Sequence, residues 1–141
     1  MEKFQKILVP LDGSDCAENV FPMAEKLASE LKASIALLRV ALAYTFPGVD
    51  PTEAELKVVR EAEEYLKKVE DRLKAKGIKV DSHVRYGNDA EEILEHANQK
   101  EIDMIAMTTH GRSGVKRFLL GSVAEKVLRY SPKPIFLVRC A

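Results

Sequence analysis

The chain has 141 residues, 46% of them apolar and 31% charged, and its 22 Lys plus Arg balance its 22 Asp plus Glu. That size suits one domain with a real core, here expected to span 1–141, and zero net charge removes any global attraction to nucleic acid or to an acidic membrane. No apolar run approaches the ~20 residues needed to span a bilayer, and Met1 to Lys6 is too short and too charged for a signal peptide.

The first predicted strand is Ile7-Leu8-Val9. A helical stripe follows: Ala17, Val20, Phe21, Ala24, Leu27, Ala28 and Leu31, in which Pro22 must kink the helix or delay its start. Ile35 to Val40 is the second strand. Ala41 to Thr52 is the longest irregular stretch, and a loop of that length in a compact domain is often functional. Leu56, Val59, Ala62, Leu66, Val69 and Leu73 make a second stripe. Its outer face carries Glu53-Lys57, Glu63-Lys67 and Glu70-Lys74 pairs, and Gly77 stops it. Ile78 to Tyr86 alternates and predicts a half-exposed strand. Asn88 with Glu91 reads as a capping box for a helix to about Ala97. Ile102 to Met107 is the fourth strand. Ser122 with Glu125 matches a second capping box, for a helix ended before Pro132, and Ile135 to Val138 is the fifth strand.

Strands alternating with helices imply an α/β fold, a mainly parallel sheet with helices on both faces. The alternating third strand reads as an edge. If the short apolar fifth strand is the other edge, it exposes unpaired backbone, which the same strand of a second copy would cover. A homodimer is therefore expected.

Ligands of open parallel sheets bind beyond the carboxyl ends of strands, where strand order reverses. If the first and fourth strands flank that point, Pro10-Leu11-Asp12-Gly13-Ser14 meets the segment from Met107 to Gly114 that runs on to Gly121-Ser122-Val123. Gly111, Gly114 and Gly121 admit a phosphate close to backbone. Arg112, Lys116 and Arg117 add charge, Ser113 and Ser122 add hydroxyls, and Gly121-Ser122 opens a helix whose unpaired amides favour an anion. Each of these residues also has a plain turn or capping role; the cluster at a strand end points to phosphate. Asp12 suits ribose hydroxyls or a metal, or else a turn. His110 suits a phosphate contact or a hydrogen bond within its own loop. Tyr44 and Phe46 suit closure over a base, or ordinary packing beneath the loop, the plainer reading. His83 and His96 read as solvated or packed, and the histidines lack metal-ligand spacing. No Walker A loop, G-x-G-x-x-G fingerprint or nucleophile elbow occurs. Cys16 and Cys140 match neither a metal site nor a disulfide framework, so reduced thiols in a cytoplasmic protein are expected.

Over essentially its whole length the chain resembles the universal stress protein family. The matching residues are Ile7-Leu8-Val9-Pro10-Leu11-Asp12-Gly13-Ser14, Thr109-His110-Gly111-Arg112-Ser113-Gly114, Leu120 to Val127, and Pro132 to Val138. Nine residues separate Gly111 from Gly121-Ser122, the spacing of that family's ATP signature, G-x2-G-x9-G-[ST]; its first glycine is Thr108 here. The resemblance implies a flavodoxin-like, Rossmann-like five-stranded sheet of order 3-2-1-4-5 and a dimer through the last strand. It also implies site roles. Pro10, Leu11 and Asp12 would line the ribose side, Val40 would contact adenine, and Met107 and Thr108 would flank base and sugar. Gly111, Arg112, Gly121, Ser122 and Val123 would hold phosphates, with His110 and Gly114 in the same loop. Magnesium or manganese would accompany the triphosphate, held mostly by phosphate oxygens and water. The expected function is an adenine-nucleotide (ATP, ADP or AMP) binding switch in the stress response. Its alternatives are a slow ATPase or autophosphorylating phosphotransferase, and a scaffold that needs no nucleotide.

Overall fold

The structure, a computed structural model, describes residues 4–110 and 120–140. The first strand, β1 (Lys6–Leu11), leads into a single helical turn, α1 (Asp15–Glu18). Ser14 caps that turn, its Oγ accepting the Ala17 amide at 3.1 Å. The helical stripe breaks at Asn19 and Val20 and resumes as α2 (Phe21–Leu31), with Pro22 in the first turn, where its missing N–H costs nothing. Pro22 thus delays the helix, as its position predicts. There follow β2 (Ser34–Ala41), α3 (Thr52–Ala75), β3 (Val80–Tyr86), α4 (Asp89–Ala97), β4 (Met104–Thr108), α5 (Ser122–Tyr130) and β5 (Ile135–Val138).

The five strands form one parallel sheet in the order β3-β2-β1-β4-β5. The expected order is therefore present, with β3 and β5 at the edges. Period-2 side chains divide the core into two layers. Ile7, Val9, Ile35, Leu37, Met104 and Ala106 pack against α2 and α3. Leu8, Ala36, Leu38, Ile105 and Met107 face the other way, against α4 and α5. The central strands are apolar on both faces because both faces are covered.

Strand β3 alternates because its two faces meet different partners. Val80 and Val84 pack into the first layer, and the Ser82 hydroxyl donates to the Glu70 carboxylate of α3. On the opposite face, Arg85 Nε donates to Glu92 Oε1 at 2.9 Å, and Asp81 accepts from Lys6 Nζ at 3.1 Å. His96 is buried there, with an Arg85 amine 3.3 Å from its Nδ1. A guanidinium only donates, so Nδ1 accepts and the ring proton sits on Nε2. Burial, then the neighbouring His83 and Arg85, push the His96 pKa below the ordinary histidine range. His96 is thus a packed residue. On α3 the Glu70–Lys74 pair forms at 2.7 Å, whereas Lys67 reaches Asp71 at 2.7 Å in preference to Glu63. No helix among the described residues is long and apolar enough to cross a membrane.

Entry into β5 is fixed by Lys133. Its Nζ donates to the carbonyls of Ile102 at 2.6 Å and Gln99 at 3.3 Å, joining the α4–β4 connection to the last strand. Ser131 braces the same turn, its Oγ accepting the Lys133 amide at 3.0 Å. Charge-assisted bonds of this kind contribute about 1.5–3 kcal/mol. Lys133→Met keeps the stem and removes the donor, so we expect a loss of about 1.5–3 kcal/mol in urea denaturation.

Candidate functional site

The strand order reverses between β1 and β4, and a cleft of about 700 Å³ opens at the carboxyl ends of β1, β2 and β4. Pro10, Leu11 and Asp12 line it from β1 and Val40 from β2; Met107, Thr108 and His110 line it from β4 and its loop, and Gly121, Ser122 and Val123 from the start of α5. Ten of the thirteen sequence-predicted site residues therefore share one cavity. The other three, Gly111, Arg112 and Gly114, lie outside the described residues.

The β1 side is a rigid turn. Asp12 Oδ1 accepts both the Ser14 amide at 2.9 Å and the Ser14 hydroxyl at 2.5 Å, so Asp12 does fill the turn role read from the sequence. Gly13 has φ +85°, and a Cβ there would lie 2.6 Å from an Arg39 amine. The Arg39 guanidinium stacks over the Tyr65 ring, 5.3 Å from its centroid. Tyr65 donates to Glu18 Oε2 at 2.7 Å, and Arg72 holds the other oxygen of Glu18 at 3.0 Å. Burial, with Glu18 accepting its proton, holds the Tyr65 hydroxyl far above the usual phenol range.

On the β4 side the two ends of the β4–α5 connection approach closely. The Gly121 amide donates to the Thr109 carbonyl at 2.8 Å. A Cβ at Gly121 would lie 3.2 Å from that oxygen and 3.3 Å from His110 Cα, so any other residue would have to push α5 or this backbone back by a few tenths of an ångström. Thr108 ends β4 in extended backbone and donates its hydroxyl to the His110 carbonyl at 2.7 Å. His110 Nδ1 meets Thr109 Oγ1 at 3.0 Å, the within-loop hydrogen bond expected of it, while its Nε2 is buried without a hydrogen-bond partner among the described residues.

Both helices that start at the cleft lack side-chain caps. The N-cap of α5 is Gly121 and that of α4 is Asn88, and neither makes a side-chain capping bond. The two predicted capping boxes are therefore not formed. Ser122 sits one residue inside α5, past the position from which a hydroxyl can cap. Among the described residues no side chain caps the first-turn amides of α5, which begins at the cleft.

Two further expectations are corrected. Cys16 and Cys140 are not separate thiols: they form a disulfide with a Cα–Cα distance of 5.4 Å, because α1 and the segment after β5 meet beside β4. Tyr44 and Phe46 are not packed beneath their loop. They are 92% and 74% exposed, and Tyr44 stands at the mouth of the cleft. Among the described residues no group of three or more His, Cys, Asp or Glu is placed to hold a metal ion.

The family model for the universal stress protein family matches residues 3–139. The chain belongs to that family. Universal stress protein MJ0531 of Methanocaldococcus jannaschii is 34% identical over 141 residues, covering 96% of this chain and 82% of that protein. The structure of universal stress protein UspA from Lactobacillus plantarum matches with a TM-score of 0.85 at 26% identity, covering 99% of this chain and 100% of that one. A universal stress protein in complex with cAMP matches with a TM-score of 0.66 at 25% identity, over 99% and 100% of the two chains.

In this universal stress protein, Arg39 is the wall residue that sequence reasoning missed. The available signal was an arginine inside the otherwise apolar run Ile35 to Val40, two residues from the end of its strand. Its packing against Gly13 makes a sharp test. Gly13→Ala adds a methyl at positive φ and drives it into the guanidinium, so we expect a loss of about 1–3 kcal/mol by chemical denaturation. Gly77→Ala, whose φ is similar at +82° but which has open space around it, should cost less.

Proposed function

We propose that this universal stress protein binds an adenine nucleotide, ATP foremost, and acts as a binding switch with little or no catalysis of its own. One observation carries the reading: the start of α5, which has no side-chain cap among the described residues, and His110, whose buried Nε2 has no hydrogen-bond partner among them, line the same cleft. Helix amides without a cap carry partial positive charge and favour an anion. A buried ring nitrogen without a partner costs about 1–3 kcal/mol until a ligand atom meets it. A phosphate oxygen satisfies both. A cleft of about 700 Å³ lies within the usual range for small-ligand sites.

The remaining roles follow from position. Gly121, Ser122 and Val123 receive the phosphates, with Gly111, Arg112 and Gly114 assigned to the same task from sequence. Asp12, held by Ser14, accepts from ribose hydroxyls. Val40, Met107 and Thr108 stand on the base and sugar side. Thr108 fills the first signature position, where its hydroxyl turns to the His110 carbonyl and its strand backbone has no need of a glycine. Magnesium or manganese fits here as an ion held chiefly by phosphate and water, with Asp12 the nearby carboxylate. The similar protein in complex with cAMP supports an adenine nucleotide as the ligand class. The site of action in this reading is the cytoplasm.

The second part of the proposal is a homodimer through β5. That strand is a sheet edge whose four residues are only half-buried, and Leu128 and Tyr130 of α5 stand 49% and 63% exposed. Light scattering at micromolar concentration should give twice the chain mass, and a monomer alone would remove this part.

Titration calorimetry with ATP, AMP, cAMP and GTP tests the ligand. We expect micromolar ATP binding, about 8 kcal/mol, with GTP weaker. Gly121→Val pushes α5 away from the Thr109 carbonyl, so affinity should fall about 100-fold while circular dichroism stays that of the folded chain. Steady phosphate release that disappears in this variant would replace the switch with an ATPase. No response to any adenine nucleotide in the folded protein with metal present would end the reading.

A further inference from the structure

We infer that Cys16 and Cys140 form a reversible redox site whose state sets how tightly the neighbouring cleft holds its nucleotide, an inference that rests on the nucleotide reading above. The bridge joins residues 124 positions apart in sequence, one on the short helix after β1 and one just past β5. Between them lies the end of β4. The Thr109 amide donates to the Val138 carbonyl at 2.9 Å, and the Cys140 amide donates to Thr109 Oγ1 at 3.3 Å. The Cys16 sulfur lies 3.2 Å from the His110 carbonyl oxygen, and Ala17, the next residue, lines the cleft. The bridge thus clamps the segment that presents His110 and accepts the Gly121 amide.

Opening it changes two things at once. The covalent tie between α1 and the chain end is lost, while α1 keeps its Ser14 cap, the core packing of Ala17 and the Glu18 contacts to Tyr65 and Arg72. Cys16 also gains an S–H, a donor that a disulfide sulfur lacks, facing a carbonyl that already accepts from Thr108. Both cysteines are only half-buried, so a small reductant reaches them. In a reducing compartment such bonds are commonly transient and redox-sensing.

The chemistry is thiol–disulfide exchange with a small-molecule dithiol. One dithiol sulfur, as thiolate, attacks a bridge sulfur, the S–S bond breaks and the other cysteine leaves as thiolate. The second dithiol sulfur then displaces the first cysteine. The reductant departs as its own cyclic disulfide, and both cysteines take up a proton. Two electrons and two protons pass from the dithiol to the protein.

The bridged form holds the cleft preorganised and should bind ATP more tightly. We expect reduction to weaken ATP binding about tenfold, an ordinary size for coupling between sites. By reciprocity, saturating ATP should shift the dithiol/disulfide equilibrium about tenfold toward the bridge. The test titrates ATP into the oxidised and the dithiothreitol-reduced protein, with alkylation and mass spectrometry to count thiols. Cys16→Ser and Cys140→Ser should each bind like the reduced protein and lose all response to dithiothreitol. Hydrogen exchange at residues 108–110 and 138–140 is measured in both states without nucleotide, and should be faster after reduction.

Equal affinity in the two states, or a pair that stays reduced in an oxidising glutathione buffer, overturns the inference. If ATP binds neither form while reduction speeds exchange at 108–110, the nucleotide reading fails and the redox clamp stands. If ATP binds and exchange and affinity ignore reduction, the clamp fails alone.

Discussion

The amide of Gly121 reaches the carbonyl of Thr109 at 2.8 Å, and the cleft depends on that approach. It sets the first turn of α5 against the end of β4, where a parallel sheet already leaves a crevice because its strand order reverses. A side chain at position 121 would meet backbone on both near sides, at 3.2 and 3.3 Å, and backbone cannot swing aside as a side-chain tip can. The same contact spends the Thr109 carbonyl on Gly121, while the Thr109 amide is spent on Val138. Thr109 is therefore held from two directions.

The other wall is held differently. On the β1 side the fixed points are side chains: Asp12 gathers Ser14, Arg39 lies over Tyr65, and Glu18 ties Tyr65 to Arg72. Charged groups beneath a sheet end are costly to desolvate unless they are partnered. Here Glu18 takes both the phenol and a guanidinium, and the Tyr65 face lies beside the cation of Arg39. The wall is polar but braced, so a ligand there meets a preset surface.

Much of this was legible in the sequence. The apolar runs and the glycine spacing locate the strands and one half of the cleft, because burial on two faces and close backbone approach each demand particular residues at particular intervals. The edge position of β3 was readable from its alternation, whereas that of β5 entered only as a condition and through the family resemblance, because a short apolar run does not by itself mark an edge. Local signals failed where tertiary contacts compete with them. Asn88 and Ser122 carry capping-box patterns, yet neither side chain caps, since both helices begin at the cleft rim. Lys67 prefers Asp71 one turn onward to Glu63 one turn back. The pairing of Cys16 with Cys140 had no local signal at all. Only the topology, which lays the end of β5 beside the turn after β1 across β4, brings them together.

The long connection between β2 and α3 completes the site in a way that fits a switch. Its base is anchored: the Gly87 amide donates to the Ala41 carbonyl at 2.9 Å, and the Ala43 amide donates to the Tyr86 hydroxyl at 3.1 Å. Beyond Ala43 the apolar side chains find no core, with Tyr44, Phe46 and Val49 all well exposed. A segment with so little buried surface changes conformation for a small free energy, whereas the walls of the cleft do not. Ligand binding energy at a rigid cleft can therefore be expressed in this loop, which begins within two residues of Val40. Exposed aromatic side chains are also the kind that a protein surface recognises. A pocket with braced walls beside a lightly held apolar loop is consistent with the nucleotide switch proposed above.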